Sequence, residues 1–584
     1  MIEYILDNME VKDEESIFYG LKYLKKDELL KRIIALNPYY EKENYFDSFG
    51  KRTNANIITL SIDIFYEDTF LSYLLDTYPD IKVYDEKEPI LLKLIEGKRE
   101  YSLKVIEILI KRDININRYY KFKTDENFLD EGTTLHKFAY EARDKSPNNR
   151  YFKIIRLLLE NGADVNLVYK FGHNDKTSTT ANSIFVQARN EEYLNKELYD
   201  LFYEFGGSLI KPIKESYNES PIHTLVSLLN KDDVIIDYLE YCWNKEPFDI
   251  LRKNEMNSDI LTNAAMSCHN KVIKWLVDKG ADIQVIGGFD NSPLLHKAIT
   301  NYSFISPVKR AESVKVLVDL GANIEQFNSE QLTPLMSAAK VGAYQALKVL
   351  IERGADVNHS NENNENALHL ALLGKNSYDL DFRFETIKSR IIIDLVKAGI
   401  DINKVSDDGA TALIYSIDFG YREIFDTLLN LNANVNIPCS NGYLPLYYAI
   451  IFRDKYFFNS LYKTKKLEVN KVNEYKHTVL HQLVLLNCNN THFEDMLKSM
   501  VSIGADINYH QEIEPPLLMY IKTMEFISER QVGFVSTKKK AKEIEHKKVE
   551  IFIKNGADIM LCLDIAKKQN EAKDIIEYLE TFNN

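Results

Sequence analysis

Gly354-Ala355-Asp356-Val357-Asn358, followed by Asn366-Ala367-Leu368-His369, is the stretch whose reading decides how this chain folds. The five-residue phrase returns as Gly162-Ala163-Asp164-Val165-Asn166 and as Gly504-Ala505-Asp506-Ile507-Asn508. Near copies start at Gly280, Gly321, Gly399 and Gly556, and looser ones at Arg112, Gly206, Asn432 and Leu467. The acidic position of the phrase serves as a register mark. The marks are Asp80, Asp113, Asp164, Ser208, Asp249, Asp282, Asn323, Asp356, Asp401, Asn434, Glu468, Asp506 and Asp558. Of the gaps between neighbouring marks, four are 33 residues and one is 34; the others are the same period with residues inserted. A period of this size signals stacked repeats, in which each unit buries its apolar face against its neighbours.

The second motif follows ten residues after a mark. It reads Thr333-Pro334-Leu335-Met336, Asn366-Ala367-Leu368-His369, Thr411-Ala412-Leu413-Ile414, Leu444-Pro445-Leu446-Tyr447 and Thr478-Val479-Leu480-His481. Thr133-Thr134-Leu135-His136 and Ser220-Pro221-Ile222-His223 match it but stand later than that spacing. A hydroxyl before proline is a helix N-cap followed by a favoured first helical residue. A second helix then carries an apolar stripe, as at Val314, Leu317 and Val318. Glycine at its end supplies the left-handed C-terminal residue, and Asp or Asn steadies the turn that follows.

Period and motif together resemble the ankyrin-repeat family from about residue 50 to the end. The resemblance implies an all-α ankyrin-repeat solenoid: helix-turn-helix repeats with β-hairpin or loop fingers, about 13 repeats, several with insertions. Residues 1–50 read as an N-terminal helical cap or degenerate repeat, with helical periodicity at 17–24 and 29–36. Residues 51–562 are the array and 563–584 a C-terminal capping helix, with no linker dividing them. The family reading also makes His136, His223, His369 and His481 braces between neighbouring repeats. His296 is one place out of register. Gly162, Gly280, Gly321, Gly354, Gly399, Gly504 and Gly556 become the structural turn glycines.

The register places the insertions. Two neighbouring turns are lengthened, within 116–132 and 168–180, and these belong to fingers that flank the binding face in the family. They carry Tyr119, Tyr120, Lys121 and Phe122, then Tyr169, Lys170, Phe171 and His173. Exposed aromatics are natural interface anchors. Tyr119, Tyr120, Phe122, Tyr169 and Phe171 are therefore the candidate partner-binding residues, set against the plainer reading that the rings pack their own loops. Other insertions fall near 144–150, 302–310, 375–387, 487–493 and 525–547, between the two helices of a repeat. Tyr378, Phe382 and Phe384 make a second, lesser candidate surface.

Other chemistry finds little support. The net charge of −14 disfavours nucleic acid and anionic membranes, which require a basic footprint. Five cysteines, Cys242, Cys268, Cys439, Cys488 and Cys562, are scattered, so no disulfide framework or zinc site is expected. His477 and His481 have zinc-helix spacing but lack the adjacent glutamate. Gly374-Lys375-Asn376-Ser377 lacks the earlier glycine of a phosphate loop. Lys538, Lys539, Lys540, Lys542, Lys547 and Lys548 form the one strong basic cluster, interleaved at its end with Glu543, Glu545 and Glu550 as on a solvated helix. The acidic start carries no secretory signal, and no apolar run is long enough to span a membrane. No insertion is large enough for a catalytic domain. The expectation is a cytoplasmic, monomeric scaffold that binds another protein, with no enzymatic activity, cofactor or metal. The alternatives are a microbial or viral effector acting on host proteins, exported without an N-terminal signal, and an immunity protein neutralising a basic toxin.

Overall fold

In the computed structural model, residues 41–46, 52–56, 75–77, 91, 103–112, 116–123, 129–142, 149–170, 178–180, 196–208, 210–212, 220–228, 231–300, 305–374, 384–452, 454–485, 490–511, 513–530, 538–569, 571 and 573–582 are described. The chain forms two compact units, Met1–Asn291 and Ser292–Asn584. Each is built of helix pairs, the all-α ankyrin arrangement. In the first unit the pairs are Thr134–Ala142 with Arg150–Glu160, Pro221–Leu228 with Asp232–Lys245, and Ile260–Met266 with Asn270–Asp278. Leu103–Arg112 and Lys196–Glu204 are further second helices. In the second unit they begin with Leu294–Thr300 and Pro307–Asp319 and end with Ile559–Lys568 and Lys573–Glu580.

First helices stack on first helices and second on second. The chemistry of the two layers follows from that. A first helix lies between its neighbours and its own partner, so it is buried nearly all round: Pro334 through Ala339, Ala367 through Leu372 and Ala412 through Ile417 are all inside. Small residues such as Ala338, Ala339 and Ala371 permit the close approach. A second helix buries one stripe only, Ile424, Phe425 and Leu428 in Arg422–Asn430, or Phe457, Phe458 and Leu461 in Lys455–Lys463.

Insertions between the helices are partly converted into extra helical turns. Ordinary second helices such as Tyr344–Glu352 run nine residues, whereas Phe384–Lys397 runs 14 and Lys538–Lys554 runs 17. The added length of Phe384–Lys397 brings Lys388 into the interior. Its ammonium donates to the Ala339 and Lys340 carbonyls at 2.9 and 2.8 Å, capping the end of the helix Pro334–Val341. The basic cluster lies on Lys538–Lys554, where Lys548 is buried with its ammonium over the rings of Phe493 and Tyr520. At least this member packs the core rather than facing solvent.

Gly354 ends its helix in the left-handed region, at φ 84°. The amide of Gly354 donates to the Ile351 carbonyl and that of Ala355 to Leu350, the paired bonds of a Schellman turn. The same closure recurs at the other marked glycines, all with φ between 84° and 100°. At one turn Asn432 does the work at φ 63°, as asparagine can.

Two boundaries differ from those the sequence suggests. A hairpin of β1 (Glu41–Phe46) and β2 (Arg52–Asn56) straddles residue 50. The helix Ile559–Lys568 straddles residue 563, capped by Asp558, whose carboxylate accepts from the Leu561 amide. The chain therefore closes on a helix pair. The periodic segments 17–24 and 29–36 lie outside the described residues. Both tryptophans of the chain are in the first unit, where Trp243 and Trp275 meet edge to face at 6.1 Å under the Lys279 ammonium.

A Cβ at Gly354 meets no atom within 4 Å, so Gly354→Ala isolates the backbone term. It is expected to destabilise by about 1–2 kcal/mol through the left-handed conformation alone. Circular-dichroism melts of the two proteins check this; an unchanged midpoint would refute the strain argument.

Candidate interaction surface

Where the phrase ends in asparagine, that side chain ties one repeat to the next. Asn358 donates from its amide to the Gly399 carbonyl at 3.3 Å and accepts from the Asp401 amide at 3.0 Å. Asn436 does the same with Lys466 and Glu468, Asn470 with Gly504 and Asp506, and Asn508 with Gly556 and Asp558. In the first unit Asn117 holds Gly162 and Asp164. An amide side chain can do this because it carries an NH2 donor beside an oxygen acceptor. Glu325 occupies one such place; it accepts from the Asp356 amide at 2.7 Å and offers no donor in return.

The histidines form a second joint. Thr133, Asn366 and Thr478 each aim a backbone N–H at Nδ1 of His136, His369 and His481, at 3.0, 3.2 and 3.1 Å. Nδ1 must therefore be the acceptor, and Nε2–H donates onward to the carbonyl of Leu167, Ala410 or Glu514. His223 spans Ser220 and the Arg252 carbonyl. His296, out of register in sequence, reaches Ser337 and the Gln326 carbonyl at 2.9 Å each, the same bridge with a borrowed hydroxyl. Burial holds the pKa of His136, His223, His369 and His481 down to about 4, against the raising effect of the carbonyl at Nε2. With both nitrogens engaged, His481 has no lone pair for a metal. His477 stacks on it at 5.6 Å and takes the Gln482 amide. Among the described residues no three His, Cys, Asp or Glu side chains group as metal ligands. Cys242, Cys268, Cys439 and Cys562 are free and buried, and burial pushes Cys242 and Cys562 up to about 12, far from thiolate chemistry.

The two enlarged fingers are hairpins. β3 (Tyr120–Lys123) pairs with β4 (Leu129–Gly132), and β5 (Val168–Lys170) with β6 (Ser178–Thr180). They join edge to edge through Glu131 and Lys170, making one antiparallel sheet in the order β3-β4-β5-β6. Tyr120 is buried at 6% exposure, and the Tyr119 hydroxyl donates to the Val168 carbonyl at 2.6 Å. Tyr119 thus ties the first hairpin to the second, and Tyr120 is turned inward. Phe122 lies on β3 and Tyr169 on β5; Phe171 lies outside the described residues. Of the lesser candidates, Tyr378 and Phe382 also lie outside them, and Phe384 opens its helix.

The shorter fingers expose apolar tips. In the first unit Leu251, Met256, Ile286 and Phe289 all stand in solvent, Phe289 at 89%. The two fingers that carry them are laced by Lys253 to the Ile286 carbonyl and by Asn257 to Asn291. In the second unit a row of aromatic rings went unremarked in the sequence. Tyr443 stacks on Tyr447 at 4.1 Å and on Tyr475 at 6.5 Å; Tyr448 and His477 adjoin the row. The available signal was Tyr447 standing where the motif has histidine.

The model for ankyrin repeats matches residues 305–380 and 386–473. The chain is 25% identical over 293 residues to an ankyrin repeat protein of Acanthamoeba polyphaga mimivirus, covering 50% of this chain and 36% of that one. A second protein of that virus, also named for ankyrin repeats, is 26% identical over 235 residues, covering 38% and 62%. An ankyrin repeat protein of Vaccinia virus (strain Western Reserve) is 23% identical over 316 residues, 44% of this chain and 97% of the viral protein. The matches thus span about a third and under two thirds of the two mimivirus proteins.

A histidine held near 4 in the folded state and at about 6.5 unfolded binds fewer protons when folded. Stability is then complete above about pH 6.5 and falls as pH drops toward 4, by up to roughly 1.4 kcal/mol per pH unit for each such group. His369→Gln should reduce proton uptake on unfolding near pH 5.5 by roughly one proton. Calorimetry in buffers of different ionisation enthalpy measures this; unchanged uptake would show that His369 is not held neutral.

Proposed function

The chain belongs to the ankyrin-repeat proteins, and from that premise we propose that it is a non-catalytic scaffold that recognises another protein. The observation that carries this reading is the asparagine ladder, which fixes successive fingers in register. A row of fingers held this way presents side chains at set spacings with little ordering entropy left to lose on binding, which favours affinity. The net charge of −14 favours a protein partner over nucleic acid or an anionic membrane. No helix among the described residues is long and apolar enough to cross a membrane. Buried free cysteines fit a reducing compartment such as the cytoplasm.

In the first unit we assign partner contact to the four-stranded sheet, with Phe122, Tyr169 and Phe171 as anchors and Tyr119 and Tyr120 as its supports. A second reading, an effector acting on host proteins, is favoured by the viral source of the relatives. The immunity-protein reading rests on the acidic charge alone.

The test is affinity capture with the full chain from lysates of its own cell and of a host cell, beside the variant Phe122→Ala/Tyr169→Ala. A stoichiometric protein partner is expected, held at least roughly tenfold more weakly by the variant if the sheet is the contact. A partner retained equally by the variant would remove the sheet assignment. Capture of nucleic acid, or of no protein from either lysate, would sink the scaffold reading.

A further inference from the structure

The tyrosine row of the second unit sits where the repeat pattern breaks. In that repeat Leu444 replaces the capping hydroxyl and makes no side-chain cap bond, and Tyr447 replaces the bracing histidine. A lost cap alone costs about 1 kcal/mol. Departures from local rules concentrate where a protein does something besides fold. The rings gained are Tyr443 and Tyr447, nearly parallel at 19°, joined by Tyr475 from the next finger, which is 59% exposed.

Carboxylates border the row. Asp408 and Asp418 are exposed and face Tyr448 electrostatically. The turn holding Asp407 and Asp408 abuts Ser440, and the turn at Gly442 abuts Asn473 and Glu474. Among the described residues, exposed Asp407, Asp408, Asp418 and Glu474 outnumber the exposed lysines there, Lys471 and Lys476, and Lys471 is already paired with Glu468 at 3.6 Å. Tyrosines on second helices carry their own cations: Lys245 lies 5.1 Å from the Tyr241 ring and Arg422 5.0 Å from Tyr456. Among the described residues no lysine or arginine lies over Tyr443, Tyr447, Tyr448 or Tyr475. The row thus offers the outward faces of its stack, with no cation over them, beside negative charge.

Resting on the scaffold reading above, we propose that this row docks a basic segment of the partner protein, its arginine side chains lying on the outward faces of Tyr447 and Tyr475, which Tyr443 holds in the stack, and pairing with Asp408, Asp418 and Glu474. Arginine suits the site because its planar guanidinium stacks on a ring while still bonding a carboxylate.

The probe is a phage-displayed library of short random peptides, selected on the full chain at physiological ionic strength. Arginine-rich peptides are expected. Their affinity should fall at least roughly tenfold for Tyr443→Ala/Tyr475→Ala and survive in Tyr443→Phe/Tyr475→Phe, which keeps the π faces. Tyr475→Ala alone, at an exposed ring, serves if the double variant loses helicity by circular dichroism; it should show part of the same loss. Replacing the arginines of one selected peptide by glutamine should abolish its binding. Peptides without basic character, or basic peptides indifferent to both alanine variants, would overturn the row as a site while leaving the scaffold reading intact. A selection that yields no binder would overturn both.

Discussion

A helix pair of this period has an apolar face it cannot cover by itself, so everything in each unit depends on fixing one repeat against the next. Burial supplies the attraction and a close-packed seam. Directional bonds at the joint add to the register. Asn358, Asn436, Asn470 and Asn508 each give and take a hydrogen bond across it, and each bracing histidine crosses it through Nε2. The imidazole works because it is neutral and in a single tautomer. A proton on Nδ1 would point at a backbone N–H that is already donating. The histidine that a catalytic enzyme keeps near neutrality for proton transfer is here kept far from it.

The joint also explains where variation is tolerated. The bonds from Asn358 to Asp401 and from Asn508 to Asp558 span the repeats that contain Phe384–Lys397 and Lys538–Lys554, so those helices gain turns while the ladder stays intact. Lys388 is the compensation for one such change, its buried ammonium closing carbonyls that the lengthened connection leaves near it. Lengthened fingers have open strand edges to manage, and the two in the first unit do so by pairing with each other.

The repeat itself was legible because its signals are local: a glycine at a left-handed turn, a hydroxyl before a helix, a period of 33. The histidine brace could be read from position alone, even though its partners lie some 30 to 41 residues away. What could not be read was pairing between repeats. Nothing in residues 116–132 and 168–180 announces that the two hairpins share an edge, since strand pairing across repeats has no sequence period. Tyr119 and Tyr120 looked like anchors because aromatic rings in a loop carry no mark of which way they turn; the pairing turns Tyr120 inward. The tyrosine row was overlooked for the opposite reason. Leu444-Pro445-Leu446-Tyr447 counts as one more occurrence of the motif, although Tyr447 in the place of histidine is itself the information.

The placement of the tryptophans has a consequence for anyone watching this protein in solution. Trp243 and Trp275 are the whole indole complement, and they touch. Light emitted on excitation at the red edge comes from one spot in the first unit, beneath a lysine ammonium. The second unit, rich in tyrosine and without a tryptophan, is silent at that wavelength. A fluorescence melt and a dichroism melt of the same sample therefore follow different objects, and any disagreement between them reads out how independently the two units come apart.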